Sequence, residues 1–199
     1  MNITDLKRVN DLWKKVYPYL ASQIMEEYQR NSGSILELGP FSGGISRELM
    51  VLYPELKVTI AAESPDVIEY IDEEIEGFGL SEKIDIIETS YNSLVFSDDR
   101  FDLVILRGGF FLLDSGGQLF REIFRVLKPG GMAFVGGGYG KDIPLELIGE
   151  IADESRELND RLGRVRVGVE ELKEIIKRSQ LAERCSIVEK GGLWVYIRK

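Results

Sequence analysis

The chain has 199 residues, 44% of them hydrophobic and 30% charged, a balance typical of a globular domain that buries a core without disulfides or metals. Its formal net charge of −9 disfavours binding to the phosphate backbone of nucleic acids. Because the chain contains no histidine, a Ser-His-Asp triad and a histidine metal site are excluded, and we predict no bound metal.

The first two thirds of the chain predict strands that alternate with helices. Residues 1–32 carry apolar side chains at helical spacing, interrupted at Pro18, and predict a helical extension. A short apolar strand at 34–38 is followed by the glycine-rich loop 39–44 and by another helix. Further strands are predicted at 58–62, 84–87, 101–106 and 132–135. Such alternation gives right-handed crossovers and a parallel sheet.

The C-terminal part has a different pattern. Helices are predicted at 143–162 and 169–179, and strands at 183–189 and 193–198. Only residues 190–192 join these last two strands, which is too few for a crossover. The pair therefore predicts an antiparallel hairpin.

Together these elements predict an α/β fold. We expect a three-layer, Rossmann-like sandwich with a seven-stranded, mostly parallel sheet that ends in the antiparallel hairpin. No repeat, low-complexity segment or linker divides the chain, so we expect one domain over 1–199, with 1–32 as a helical cap and 33–199 as the core.

The loop after the first strand and the acidic residue after the second predict a nucleoside site. Glycines let backbone N–H groups approach a ligand closely. Glu63 ends the next strand, where a carboxylate can accept hydrogen bonds from both ribose hydroxyls. The dinucleotide pattern G-x-G-x-x-G is broken, because position 41 is Phe. That bulky side chain should obstruct a pyrophosphate, so a ligand without phosphate fits better.

Residues 35–44 resemble the first motif of the class I S-adenosylmethionine-dependent methyltransferases. Glu37, Gly39 and Gly43 match its acidic and glycine positions, whereas Phe41 replaces its middle glycine. Three later segments are similar to further family motifs in the same order: 61–63, 94–104 and 127–131. The closing antiparallel hairpin is also a hallmark of the family.

The resemblance implies a site for the methionine portion of S-adenosylmethionine in the loop. Gly39, Pro40 and Phe41 would line it, and Gly43 would belong to the same cradle. Glu37 would either anchor the amino group of the cofactor or hold the loop through backbone N–H groups.

On the adenosine side, the resemblance implies that Glu63 binds the ribose and that Ser64 lies beside the adenine edge. Ser90 occupies the position where many members carry an aspartate that accepts from the adenine amino group. Tyr91 would cover the adenine face, since aromatic stacking needs no charge; the alternative is an ordinary buried aromatic residue.

Arg107 ends an otherwise apolar fourth strand, where members of the family pass the transferable methyl group. A charge there costs energy unless it is paired or hydrated. Arg107 would therefore hold the cofactor carboxylate or an acidic acceptor, with an ion pair to Glu37 as the alternative. Tyr17 and Tyr19 of the extension would close the pocket, whereas the arginines of 161–166 are predicted to be solvated.

The resemblance therefore implies a cytoplasmic S-adenosylmethionine-dependent methyltransferase, with S-adenosylhomocysteine as product and an unidentified small-molecule acceptor. It assigns no catalytic residue and no oligomeric state. The single cysteine, Cys185, excludes an internal disulfide, and from the pattern of charged and apolar residues we expect neither a signal peptide nor a membrane span. Three alternatives stay open: a degenerate cofactor-binding or protein-interaction module, an aminopropyl-transferring relative, and a nicotinamide-dependent oxidoreductase.

Overall fold

A computed structural model describes the whole chain, residues 1–199. The strands are β1 Ser32–Leu38, β2 Glu55–Ala62, β3 Ile84–Glu88, β4 Phe101–Arg107, β5 Leu127–Gly137, β6 Cys185–Val188 and β7 Leu193–Arg198. The helices are α1 Ile3–Trp13, α2 Tyr17–Tyr28, α3 Gly44–Leu52, α4 Pro65–Gly77, α5 Gln118–Val126, α6 Leu145–Arg161 and α7 Val169–Arg178. None of these helices combines the length and the apolar composition that crossing a bilayer requires.

All seven strands form one sheet in the order β3-β2-β1-β4-β5-β7-β6. β1 is parallel to β2 and β4, and β7 is antiparallel to both β5 and β6. The predicted mostly parallel sheet with its C-terminal hairpin is confirmed. The strand order reverses at β1, and ligands of open α/β sheets bind at the carboxyl ends of the strands beside such a switch point.

Helices cover both faces of the sheet and make the predicted three layers. One core cluster joins the sheet to α1, α2, α3, α4 and α6, and the other joins it to α5 and α7. The alternation of side chains along a strand explains the division. In β4, for example, Ile105 belongs to the first cluster and Leu106 to the second.

The fifth strand begins earlier than the sequence predicts. Residues 128–131 carry a proline and two glycines, a composition typical of a turn, and the sequence predicts a strand only over 132–135. Instead β5 begins at Leu127, which pairs with Phe101, and the register shifts before Leu103 pairs with Met132. This bulge absorbs the extra residues, so Pro129 is tolerated within the strand.

The N-terminal extension folds back over the carboxyl end of the sheet. The side chain of Asn2 caps α1 by accepting from the backbone N–H of Asp5 at 3.2 Å. At the other end of the helix, Trp13 Nε1 donates to Ser155 Oγ of α6 at 2.8 Å. α2 packs against α3, and the ring of Tyr17 lies directly against Gly44. The extension thereby reaches the glycine-rich loop.

Candidate functional site

The glycine-rich loop lies where β1 delivers it, at the carboxyl edge of the sheet. Gly39 and Gly43 both have φ near +100°, a backbone conformation that residues with a side chain rarely adopt. Gly39 N donates to Ala61 O of β2 at 2.9 Å. The two matched glycines therefore allow the tight turn that ends β1.

Glu37 of β1 supports this loop through hydrogen bonds to its backbone. Its side chain is fully buried, and its Oε2 accepts from the backbone N–H groups of Gly43 and Ser46, each at 3.1 Å. Burial raises the pKa of the Glu37 carboxyl above its ordinary value, although these hydrogen bonds act in the opposite direction. Of its two predicted roles, loop support is therefore present in the structure. Oε1 has no protein partner, and anchoring of a ligand amino group stays a prediction.

Glu63 lies on the same edge as the loop. Leu38 of β1 pairs with Ala61 of β2, so the residues that follow both strands emerge side by side. The Glu63 side chain is exposed, and its one hydrogen bond is the acceptance of Tyr91 N–H by Oε1 at 3.4 Å. A carboxylate with most of its acceptor capacity free therefore lies at the same edge of the sheet as the loop, with its one contact on the β3 side.

The other residues predicted on the adenosine side gather around Glu63. Ser64 occupies the N-cap of α4, but its hydroxyl makes no capping hydrogen bond, which leaves it free for a ligand. Ser90 is exposed, and its Oγ accepts from Asn92 N–H at 3.4 Å. Tyr91 is only 8% exposed and packs into the second core cluster. The buried-aromatic interpretation thus describes most of its ring, and stacking on adenine stays a prediction.

Phe41 turns away from Glu63. The ring is 3% exposed and packs edge-on against Phe111, with centroids 6.1 Å apart. It also lies so close to Gly108 that a Cβ there would meet the ring at 2.9 Å. These contacts are on the β4 side of β1, whereas Glu63 is on the β2 side. Phe41 therefore does not separate the loop from Glu63, and it borders the methionine end of the predicted site.

Arg107 lies beside Phe41 and is enclosed by the N-terminal extension. It is 4% exposed, and its Nη2 donates to Asn10 Oδ1 at 2.9 Å, Tyr17 Oη at 3.1 Å and Phe41 O at 3.1 Å. The guanidinium carbon lies 4.6 Å from the ring centroid of Trp13 and 4.9 Å from that of Phe41. Aromatic faces at this range attract a cation.

No carboxylate pairs with Arg107. The alternative ion pair to Glu37 is not formed, and Arg107 Nε is buried without a partner. Sequence reasoning identified Arg107 and Tyr17 but missed Asn10 and Trp13. The helical spacing of Trp13 indicated only a buried face, and no local signal showed that this face would meet β4.

Known proteins match the part of the chain that carries the glycine-rich loop, Glu63 and Arg107, and solved structures match nearly all of it. Residues 35–131 match the family model described as "Methyltransferase domain". A putative S-adenosyl-L-methionine-dependent methyltransferase from Methanococcus maripaludis superposes with a TM-score of 0.81, at 23% identity, over 98% of this chain and 91% of that one. A SAM-dependent methyltransferase from Aquifex aeolicus superposes with a TM-score of 0.70, at 16% identity, over 99% of this chain and 97% of that one. The chain has the class I methyltransferase fold.

Sequence similarity extends to larger C-methyltransferases. The ubiquinone/menaquinone biosynthesis C-methyltransferase of Pseudoalteromonas translucida is 25% identical over 128 residues, which are 64% of this chain and 49% of that protein. Its counterpart in Desulfotalea psychrophila is 29% identical over 102 residues, which are 50% of this chain and 39% of that protein. The chain thus spans about half the length, or less, of these curated relatives.

Proposed function

We propose that the chain is an S-adenosylmethionine-dependent methyltransferase that acts on a small-molecule acceptor. The observation that carries this proposal is the shared edge of the glycine loop 39–43 and the exposed carboxylate of Glu63. The backbone of the loop offers N–H groups, and Glu63 offers oxygens to two ribose hydroxyls. The absence of a pyrophosphate cradle at Phe41 favours a nucleoside without phosphate over a nicotinamide dinucleotide.

The residues present fit this cofactor. Glu63 and Ser64 would hold the ribose and the adenine edge, with Ser90 and Tyr91 on the far side of the adenine. Gly39, Pro40, Phe41 and Gly43 would line the methionine portion. When bound, S-adenosylmethionine would supply a methyl group on a sulfonium, whose carbon an acceptor lone pair can attack while the methyl–sulfur bond breaks and the sulfur leaves as a thioether.

The chain's own contribution would be positioning and the exclusion of water. Glu37 fixes the loop, and the extension covers the β4 end with Trp13 and Tyr17. Arg107, which lacks a carboxylate partner, would direct its positive charge to the cofactor carboxylate. Burial raises the pKa of Tyr17 to about 12, so this phenol stays protonated and serves as a hydrogen-bonding group, not as a base.

The net charge and the single cysteine bear on the class of acceptor and on the compartment. The net charge of −9 supports a small-molecule acceptor over a nucleic acid. Burial raises the pKa of the Cys185 thiol to about 11, which keeps the only cysteine unreactive. A single unreactive thiol supports assignment to a reducing compartment such as the cytoplasm.

Calorimetric titration with S-adenosylmethionine, S-adenosylhomocysteine and NAD tests the proposal. We expect both sulfur nucleosides to bind and NAD not to bind; binding of NAD alone would contradict it. Incubation with methyl-labelled cofactor and metabolite extracts then tests transfer. Cofactor binding without labelling of any extract component would favour the non-catalytic module.

A further inference from the structure

A cavity of about 230 Å³ opens at the carboxyl ends of β4 and β5. Gly108 follows β4 and Gly137 ends β5, and both line the cavity. Gly108 also packs against Phe41 of the glycine loop. The cavity is therefore adjacent to the methionine end of the proposed cofactor site, where an acceptor has to lie.

The wall opposite the strands carries positive charge. Arg164 and Arg166, from the segment between α6 and α7, both line the cavity. Arg164 Nη2 reaches so far towards the sheet that a Cβ at Gly137 would lie 3.2 Å from it. Arg164 makes no ion pair with any carboxylate, and Arg166 approaches only the exposed Asp160, at 3.8 Å.

Arg164 also lies within electrostatic range of Arg107. Although Arg164 is exposed as a whole residue, partial enclosure of its guanidinium lowers its pKa and the charge of Arg107 lowers it further, whereas Tyr139 and Asp160 act in the opposite direction. Two guanidinium groups of which neither has a carboxylate within ion-pair distance make the local potential at this edge more positive, and Asp160 offsets part of it. That potential contrasts with the chain's net charge of −9.

The remaining wall of the cavity is apolar. Phe110, Val165 and Val167 line it and also line a neighbouring cavity of about 410 Å³, so the two cavities adjoin along these side chains. Glu171, Glu174 and Arg178 line the second cavity only, whereas the charged residues of the first cavity are all arginines. An anionic group is therefore favoured at the Arg164 end, and an uncharged body along the apolar wall.

We propose that this space binds the methyl acceptor, and that the acceptor is a small molecule with an apolar body and a carboxylate or phosphate group that Arg164 holds. This inference rests on the function proposed above. Arg164 is a specificity-determining residue in this scheme: its planar fork can bind two oxygens of the anion at once. The anion would also relieve the repulsion between Arg164 and Arg107.

The test uses the full chain saturated with S-adenosylhomocysteine and three probes: benzoate, phenyl phosphate and uncharged benzamide. Binding is measured by ligand-observed NMR titration. We expect at least one of the two anions to bind about tenfold or more tightly than benzamide, because an anion gains a bidentate, charge-paired contact with Arg164 that the uncharged amide cannot make. The anion that binds more tightly shows which of the two oxyanion groups the cavity prefers.

Variants separate this inference from the proposed function. Arg164→Gln should weaken anion binding about tenfold while it leaves benzamide and S-adenosylhomocysteine binding unchanged. Arg156→Gln, an exposed arginine of α6 that pairs only with Asp153, is the control and should change none of these affinities. Equal binding of benzoate, phenyl phosphate and benzamide, or anion binding that Arg164→Gln leaves intact, would overturn the inference. Failure of S-adenosylhomocysteine to bind the unmodified chain would instead overturn the proposed function.

Discussion

At the scale of single residues, Glu63 offers the sharpest test of the cofactor site. Glu63→Ala removes both carboxylate oxygens from the proposed ribose contact. We expect the affinity for S-adenosylhomocysteine to fall by on the order of 2–4 kcal/mol, because two charge-assisted hydrogen bonds are lost. Isothermal titration calorimetry measures the change. Glu69→Ala, an exposed carboxylate on α4, is the control, and unchanged affinity in Glu63→Ala would remove Glu63 from the site.

Glu37 predicts a distinctive pH dependence of stability. Its folded-state pKa is raised above the ordinary value of 4.5, so its stabilising contribution is complete below about pH 4.5 and declines as the pH rises through the folded pKa. Glu37→Gln does not titrate. The free energy of unfolding of the unmodified chain should therefore fall relative to that of Glu37→Gln as the pH increases from about 4.5.

Urea unfolding at several pH values measures this difference. Both proteins are followed from about pH 4.5 to pH 8, and the slope is the readout, because the amide substitution itself adds a pH-independent offset. Glu69→Gln is the matched control and should show no such slope. A constant difference between the unmodified chain and Glu37→Gln would show that the carboxyl titrates alike in the folded and unfolded states.

At the scale of elements, the contact between α2 and α3 depends on Gly44. A Cβ at this position would clash with the ring of Tyr17, so the ring or one of the two helices must shift. We expect Gly44→Ala to lower the free energy of unfolding by about 1–3 kcal/mol, as overpacking does. It should also weaken S-adenosylhomocysteine binding, because Tyr17 holds Arg107. Chemical denaturation and calorimetry measure the two effects.

Gly149→Ala provides the matched control for this substitution. Gly149 lies within α6, and a Cβ there meets no atom within 4 Å. Alanine favours the helix over glycine by about 0.5–1 kcal/mol, so this variant should be more stable and should bind the ligand unchanged. If Gly44→Ala behaved in the same way, the close packing of α2 on α3 would not be needed for stability.

The elements were largely predictable, whereas the contacts between distant ones were not. The alternation of strands and helices and the short connection 190–192 gave the sheet and its hairpin, because these signals are local. The bulge in β5 was missed, since a proline and two glycines indicate a turn equally well. The enclosure of Arg107 by Asn10 and Trp13 depends on how the extension folds back, and helical spacing carries no information on that packing.

At the scale of the whole molecule, ligand binding should raise thermal stability. A ligand that binds only the folded state at 100 times its Kd adds about 2.7 kcal/mol, which corresponds to a rise in Tm of roughly 5–10 °C for a chain of this size. We expect this rise with S-adenosylhomocysteine and none with NAD in thermal unfolding scans. The same scan on Glu63→Ala at the same ligand concentration should show a smaller rise.

The packing of α1 sets a limit on how far the chain can be shortened. The family match begins at residue 35, yet Asn10 and Tyr17 accept hydrogen bonds from Arg107 and Trp13 covers it. A fragment trimmed to the matched region would open this guanidinium to water and deprive it of two acceptors. The shortest fragment that keeps the β4 end intact therefore has to start upstream of Asn10.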